Sequence, residues 1–238
     1  MGSEAGASSP PGEEGAWTFV PADVTDSASL EAAFARVQRE AGKLDGLVHT
    51  AGIYDLNSLV EMPEADFLRD LDVNLCGVFR VNRLFLPLLA DGGRIVIVTS
   101  ELAPLEPLPF TGIYAVTKAA LDKYAAALRM ELQLPGHPVI VIRPGAVDTG
   151  MLPVSTEKLA RFCEETKLYS LSAERFRRIV ERVEARRVPP EKPEELILRA
   201  LTAARPRPVY CVNRNPLLLL FQALPSRLRL RAIRRILS

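Results

Sequence analysis

The sequence is short of the residues that build metal sites, disulfide frameworks and charged binding faces. It holds two histidines, His49 and His137, and three cysteines, Cys76, Cys163 and Cys211. None of them stand at metal-ligand spacing, and the odd cysteine count argues against a disulfide framework. A reducing, cytoplasmic setting fits that usage. With 30 basic and 29 acidic side chains there is no global field to attract nucleic acid or an acidic substrate. No apolar run reaches the length of a membrane span, and the N-terminus lacks the apolar core of a signal peptide. Residues 1–16, rich in Gly, Ser, Pro, Ala and Glu, show no periodicity and are expected to be disordered. Gly2 and Gly6 have no strand before them and no helix after, so no phosphate-binding turn is read there. The whole sequence is 48% apolar, ample for the core of one large domain or a small two-lobed one.

The informative stretch runs from Ser100 to Lys118. Arg94–Thr99 before it is a continuous β-branched run, which predicts a strand buried on both faces. From Thr111 to Leu132, apolar residues at Ile113, Val116, Ala120, Leu121, Tyr124, Ala125 and Leu128 predict a helix. Ser100 then lies at the C-terminal tip of a strand, and Tyr114 and Lys118 lie one turn apart on one helix face. A phenol titrates near ~10 and is a poor acid or base at neutral pH. A nearby ammonium favours the phenolate. With a serine hydroxyl holding the oxygen, the set can pass a proton to or from an alcohol while hydride leaves or joins its carbon. The rival reading is a chance Tyr-x-x-x-Lys whose tyrosine only packs. Position favours chemistry, because open α/β sheets bind ligands at the carboxyl ends of their strands.

These residues resemble the short-chain dehydrogenase/reductase family. Ser100, Tyr114 and Lys118 match its catalytic Ser, Tyr and Lys, and Asn74 in Asp72–Phe79 matches the asparagine that completes the tetrad. Pro144-Gly145-Ala146-Val147-Asp148-Thr149 resembles its nicotinamide-contacting loop. Asp23-Val24 resembles the pair bordering the adenine pocket. His49-Thr50-Ala51-Gly52 stands where the family has Asn-Asn-Ala-Gly, departing in its first two residues and keeping Ala51 and Gly52. The resemblance implies an α/β, Rossmann-like, doubly wound parallel sheet, NAD or NADP as cofactor, and a carbonyl or alcohol substrate. It implies that Asn74, Ser100, Tyr114 and Lys118 are catalytic. Asp23, Val24, Ala51, Gly52, Tyr114, Lys118, Pro144, Gly145, Val147 and Thr149 would then face the cofactor. The family's first two strands and glycine-rich turn have no counterpart, so the domain over 17–212 reads as N-terminally truncated. The strand from Leu44 is then expected at a sheet edge. A non-catalytic, shortened relative with weak cofactor binding, associating with a partner or membrane surface, is the alternative.

In chain order, Trp17–Pro21 is expected as a strand, Asp26 as the N-cap of a helix over Ser27–Gly42, and Leu44–His49 as a strand. Pro63 to about Leu89 reads as helix, broken at most once, with Asn74 inside it. Asn74 either bonds locally or supports a proton relay. Asp91-Gly92-Gly93 reads as a turn, and Val139–Ile142 and Arg207–Val212 as strands. Residues of about 151–190, with a helix over Ser172–Arg187, are either a substrate lid or an ordinary surface helix pair. Thr149 either contacts the cofactor carboxamide or caps the next helix. Pro193–Ala204 reads as helix. In the tail, 213–238, an apolar run precedes Arg227, Arg229, Arg231, Arg234 and Arg235 with no acid among them. It reads as one terminal helix that either rests on an anionic membrane surface or guards an apolar substrate mouth, or else packs on its own domain or a partner subunit, the last favoured. It resembles the tails of family members acting on retinoids and steroids, which implies a lipid-like substrate. Family analogy also implies a homo-oligomer through the helices carrying Asn74 and Tyr114.

Overall fold

Four apolar runs form one parallel sheet in the order β1 (Leu44–His49), β2 (Leu89–Val98), β3 (Val139–Pro144) and β4 (Val209–Val212). The structure, a computed structural model, describes residues 17–238, so the segment 1–16 expected to be disordered lies outside it. Val96 is in register with Val48 on one side and Ile140 on the other. Alternation in β2 and β3 divides their side chains between two cores. Ile95, Ile97, Val139 and Val141 pack with Leu121, Ala125 and Leu132 on one face; Val96, Ile140 and Ile142 pack with Ala200 and Tyr210 on the other. Both faces are therefore covered, the condition under which continuous Val/Ile runs serve as parallel strands. β1 has a single strand neighbour among the described residues, as expected of an edge.

The covering helices follow from caps and periodicity. α1 (Ser27–Glu40) starts at Asp26, whose side chain accepts from the Ala28 amide at 2.9 Å. Its Phe34 meets Phe85 edge to face, tying it to α3 (Gly77–Phe85). α2 (Glu64–Leu71) leads through a π-helical turn, Asp72–Cys76, into α3. α4 (Gly112–Leu132) covers the first core, and α7 (Glu191–Thr202) covers the second. α5 (Met151–Glu165) and α6 (Ser170–Glu184) stand over the carboxyl ends of the strands. There Leu159, Phe162, Phe176 and Val180 pack with Leu56 and Phe110.

Three expectations are corrected. Trp17–Pro21 is not a strand: no ladder partner faces it among the described residues. Val20 instead packs on the α1–α3 cluster, and the Phe19 carbonyl accepts from Arg36 at 3.2 Å. Asp91–Gly93 is not a turn ahead of β2 but a bulge within it, because the register shifts between Leu44 and Gly46 and Gly92 takes φ +73°. The tail is not one helix but two, α8 (Pro216–Gln222) and α9 (Ser226–Leu237), divided at Pro225. α9 turns Ile233 and Leu237 inward onto the α5–α6 cluster, while Leu228, Leu230 and Ile236 are exposed along with Arg227, Arg231, Arg234 and Arg235. Among the described residues no helix is long and apolar enough to cross a membrane.

Candidate active site

The carboxyl end of β2 delivers Ser100. Past the strand, the Thr99 amide bonds the Ile142 carbonyl at 2.9 Å and the Glu101 amide bonds the Pro144 carbonyl at 2.8 Å, so the backbone here stays locked to β3. Ser100 Oγ accepts from the Leu102 amide at 3.2 Å, which leaves its proton free to donate. α4 presents Tyr114 in its first turn and Lys118 one turn later. Its start is set by two close features. Phe110 sits at φ +64°, an uncommon conformation for a bulky residue, while its ring is surrounded by Phe162, Tyr169 and Phe176. A Cβ on Gly112 would come within 2.7 Å of Leu59. Further along, Asp122 accepts two bonds from Arg143, at 3.0 and 2.6 Å, and pins the same helix to the end of β3.

Lys118 is 4% exposed, yet its ammonium reaches one acceptor, the Val98 carbonyl, at 3.4 Å. It lies 5.7 Å from the centroid of the Tyr114 ring. Burial pushes Lys118 down to about 8 and Tyr114 up to about 12, with the Ser100 hydroxyl drawing the phenol the other way. At neutral pH the site therefore holds a phenol ready to donate and an ammonium with unused donors. Tyr54 packs edge to face on Tyr114, with centroids 4.6 Å apart.

Asn74 is fully buried in the π-helical turn, a feature that recurs at functional sites. Its Oδ1 accepts from the Ile53 amide at 2.8 Å; its Nδ2 donates to the Ile53 carbonyl at 2.9 Å and to Thr117 Oγ1 at 3.1 Å. It thus joins the loop after β1 to the helix carrying Tyr114 and Lys118. Gly52 closes the group: a Cβ there would stand 3.2 Å from Asn74 Oδ1 and 3.4 Å from Lys118 Nζ.

Ser100, Tyr114 and Lys118 line a cavity of about 680 Å³ together with Pro144, Gly145, Val147 and Thr149. Gly145 is required by space, since a Cβ would fall 2.1 Å from the Asn213 carbonyl. Thr149 borders the cavity and is followed by Gly150 as the N-cap of α5, so capping is not its place. Asp23, Val24, Ala51, Gly52 and Asn74 do not border it. Asp23 accepts from the Thr25 amide and hydroxyl, which hold its carboxyl below the usual range, and Val24 packs under Gly77.

The sequence reading passed over several members. Glu101 accepts from the Asn215 amide at 2.7 Å and fastens α8 to the strand end. His49 pairs with Asn82 at 2.7 Å, and Asn82 donates to Tyr124 at 3.1 Å. Burial holds His49 down to about 4, so it is a neutral strut at the end of β1. The departure of His49 from the family's asparagine signalled this local network. Among the described residues no group of three His, Cys, Asp or Glu is placed to hold a metal.

A parallel sheet with helices over both faces defines a Rossmann-like α/β protein. Residues 3–160 match the short chain dehydrogenase family, and the chain belongs to it. It is 36% identical over 146 residues to the oxidoreductase UcpA of Salmonella typhimurium, covering 60% of this chain and 54% of that protein. It is 34% identical over 222 residues to the probable oxidoreductase EphD of Mycobacterium tuberculosis, covering 89% of this chain and 36% of EphD. A dehydrogenase/reductase structure from Sinorhizobium meliloti superimposes with TM-score 0.52 at 37% identity, covering 55% of this chain and 52% of the other. The chain thus spans about half the length of UcpA, as the 54% coverage gives.

Proposed function

We propose that the chain carries the site of an NAD(P)-dependent oxidoreductase that interconverts a carbonyl and an alcohol. The observation that carries this reading is the Lys118 ammonium, buried beside Tyr114 with a single acceptor at 3.4 Å. An ammonium has three protons to place and is costly to bury unpartnered. The ribose hydroxyls of a nicotinamide cofactor would supply the missing acceptors. Lys118 and Tyr114 then hold the ribose, while Pro144, Gly145, Val147 and Thr149 border the nicotinamide end.

When bound, the reduced cofactor supplies a hydride and the oxidised form takes one up. Tyr114 donates its phenolic proton to the carbonyl oxygen during reduction and recovers one from the alcohol during oxidation. Ser100 donates a hydrogen bond to the same oxygen and fixes its position. Lys118 stabilises the phenolate by its charge. Asn74 Oδ1, with one lone pair taken by Ile53, keeps a second for a relay water. The cavity wall from α6, α8 and α9 excludes bulk water and favours an apolar substrate.

The test follows nicotinamide absorbance with NADH and NADPH against a panel of apolar ketones. Turnover by the wild type with loss of about 10²-fold or more in Tyr114→Phe supports the assignment. Equal turnover by a folded Tyr114→Phe variant removes it.

A further inference from the structure

One carboxylate on the cavity wall, unused by the proposed chemistry, has an oxygen without a hydrogen-bond partner. Glu184, at the end of α6, faces a wall otherwise built from residues such as Phe176, Val180, Leu218, Phe221 and Leu237. Its Oε1 is sheltered from solvent and has no hydrogen-bond partner; its Oε2 has a single long bond, 3.4 Å, from the Thr156 hydroxyl. Among the described residues no cation pairs with Glu184, and Arg187, about one turn on, is engaged by Asp148 at 3.1 Å. Of the other carboxylates on the wall, Glu101 accepts from the Asn215 amide and Glu194 is exposed to solvent. Tyr54 links the two ends of the cavity: its ring packs on Tyr114, and the charge of Glu184 acts on its phenol, which burial has already raised. Burial also raises the Glu184 carboxyl, as expected for a group lacking a donor.

We propose that Glu184 is a second substrate anchor. The substrate is an apolar alcohol or ketone that carries, besides the reacting carbon, a separate hydrogen-bond donor taken by Glu184 Oε1. The assignment rests on the hydride-transfer reading for the identity of the first anchor, and it adds a specificity determinant. An acceptor buried in an apolar wall discriminates strongly, because an analogue without the donor leaves the carboxylate unpaired.

The test is a binding measurement, separate from turnover. Linear methyl ketones of increasing chain length, each with and without a terminal hydroxyl, are titrated calorimetrically against the full chain, alone and with NADH or NADPH. At the length that spans the cavity, the hydroxylated ketone should bind about tenfold or more tighter than its partner, equivalent to about 1.4 kcal/mol. Glu184→Leu should abolish that preference while binding the plain ketones at least as well. Glu184→Gln, which keeps an acceptor, should restore part of it. Melting curves establish that both variants fold. No binding by any ketone, no preference at any length, or a preference that survives in Glu184→Leu overturns the proposal. Preferential binding without reduction upholds the anchor and removes the hydride-transfer reading; reduction without preference does the reverse.

Discussion

Replacing Asp70 by asparagine should stabilise this protein at alkaline pH and leave it unchanged in acid. Asp70 is fully buried on α2, and neither of its carboxyl oxygens has a hydrogen-bond donor. Beside it lies Asp55, which already takes Lys158 at 2.5 Å and Arg69 at 2.9 Å; Arg69 stands 3.7 Å from Asp70 itself. Burial first, then the charge of Asp55, raises the Asp70 carboxyl to about 7, against the opposing pull of Arg69 and Lys158. The sign follows directly. Below the ordinary aspartate range both folded and unfolded chains hold the proton. Between that range and about 7 the unfolded chain releases it and the folded chain keeps it, so stability falls as pH rises; above 7 the loss is constant. Each pH unit in that window costs about 1.4 kcal/mol, giving a ceiling of about 4 kcal/mol. Because the two cations and structural relaxation share the load, about 2 kcal/mol is expected in practice. An asparagine of the same shape carries no charge and can donate to Asp55 at every pH. For a chain of this size, about 2 kcal/mol raises Tm by roughly 4–8 °C. Thermal melts of wild type and Asp70→Asn at pH 5 and pH 8 make the comparison. A gain at pH 8 that shrinks toward pH 5 is the expected result. An equal effect at both pH values, or destabilisation at pH 8, refutes the reasoning.

Three further outcomes are expected. Gly145→Ala forces a Cβ to 2.1 Å from the Asn213 carbonyl. It should cost about 2 kcal/mol and be read as a lower urea midpoint with an unchanged slope. Glu106→Ala strips the carboxylate from Arg229, a buried guanidinium that also donates to the Gln222 carbonyl at 3.0 Å. The exposed position of Glu106 holds the expected loss to about 1 kcal/mol, and hydrogen exchange should rise first in α8 and α9. Nicotinamide affinity should fall as pH rises through about 8, because buried Lys118 sheds its proton there and the ribose loses its cationic partner; titrations at pH 7 and pH 9 test it.

Legibility in the sequence divided along physical lines. Where one pattern decided the outcome, the elements were readable. The β-branched runs gave β2 and β3, Leu44–His49 was bounded correctly, and the Asp26 cap was placed by residue type alone. The spacing of Tyr114 and Lys118 put both on one helix face because a helix has only one register. Elements that depend on a distant partner were not readable. Trp17–Pro21 has strand-like composition, but a strand exists only with a ladder neighbour. The division of the tail at Pro225 and the inward face of α9 depend on docking against α6. Glu101, Glu184 and Asp70 were invisible for the same reason: an acid in a sequence looks solvated until the fold shows what surrounds it. Asp23 and Val24 stood out by resemblance; in the fold Asp23 accepts from Thr25 and Val24 packs under Gly77.

We propose that the Lys118–Tyr114 wall receives a nicotinamide cofactor. The most direct test is a titration of the full chain with NADH and NADPH, followed by Trp17 fluorescence and thermal shift, beside Lys118→Met. Saturable binding of one cofactor at micromolar levels is expected, with an affinity loss of about tenfold or more in a folded Lys118→Met variant. A folded wild-type chain that binds neither cofactor, or binding that Lys118→Met leaves unchanged, contradicts it.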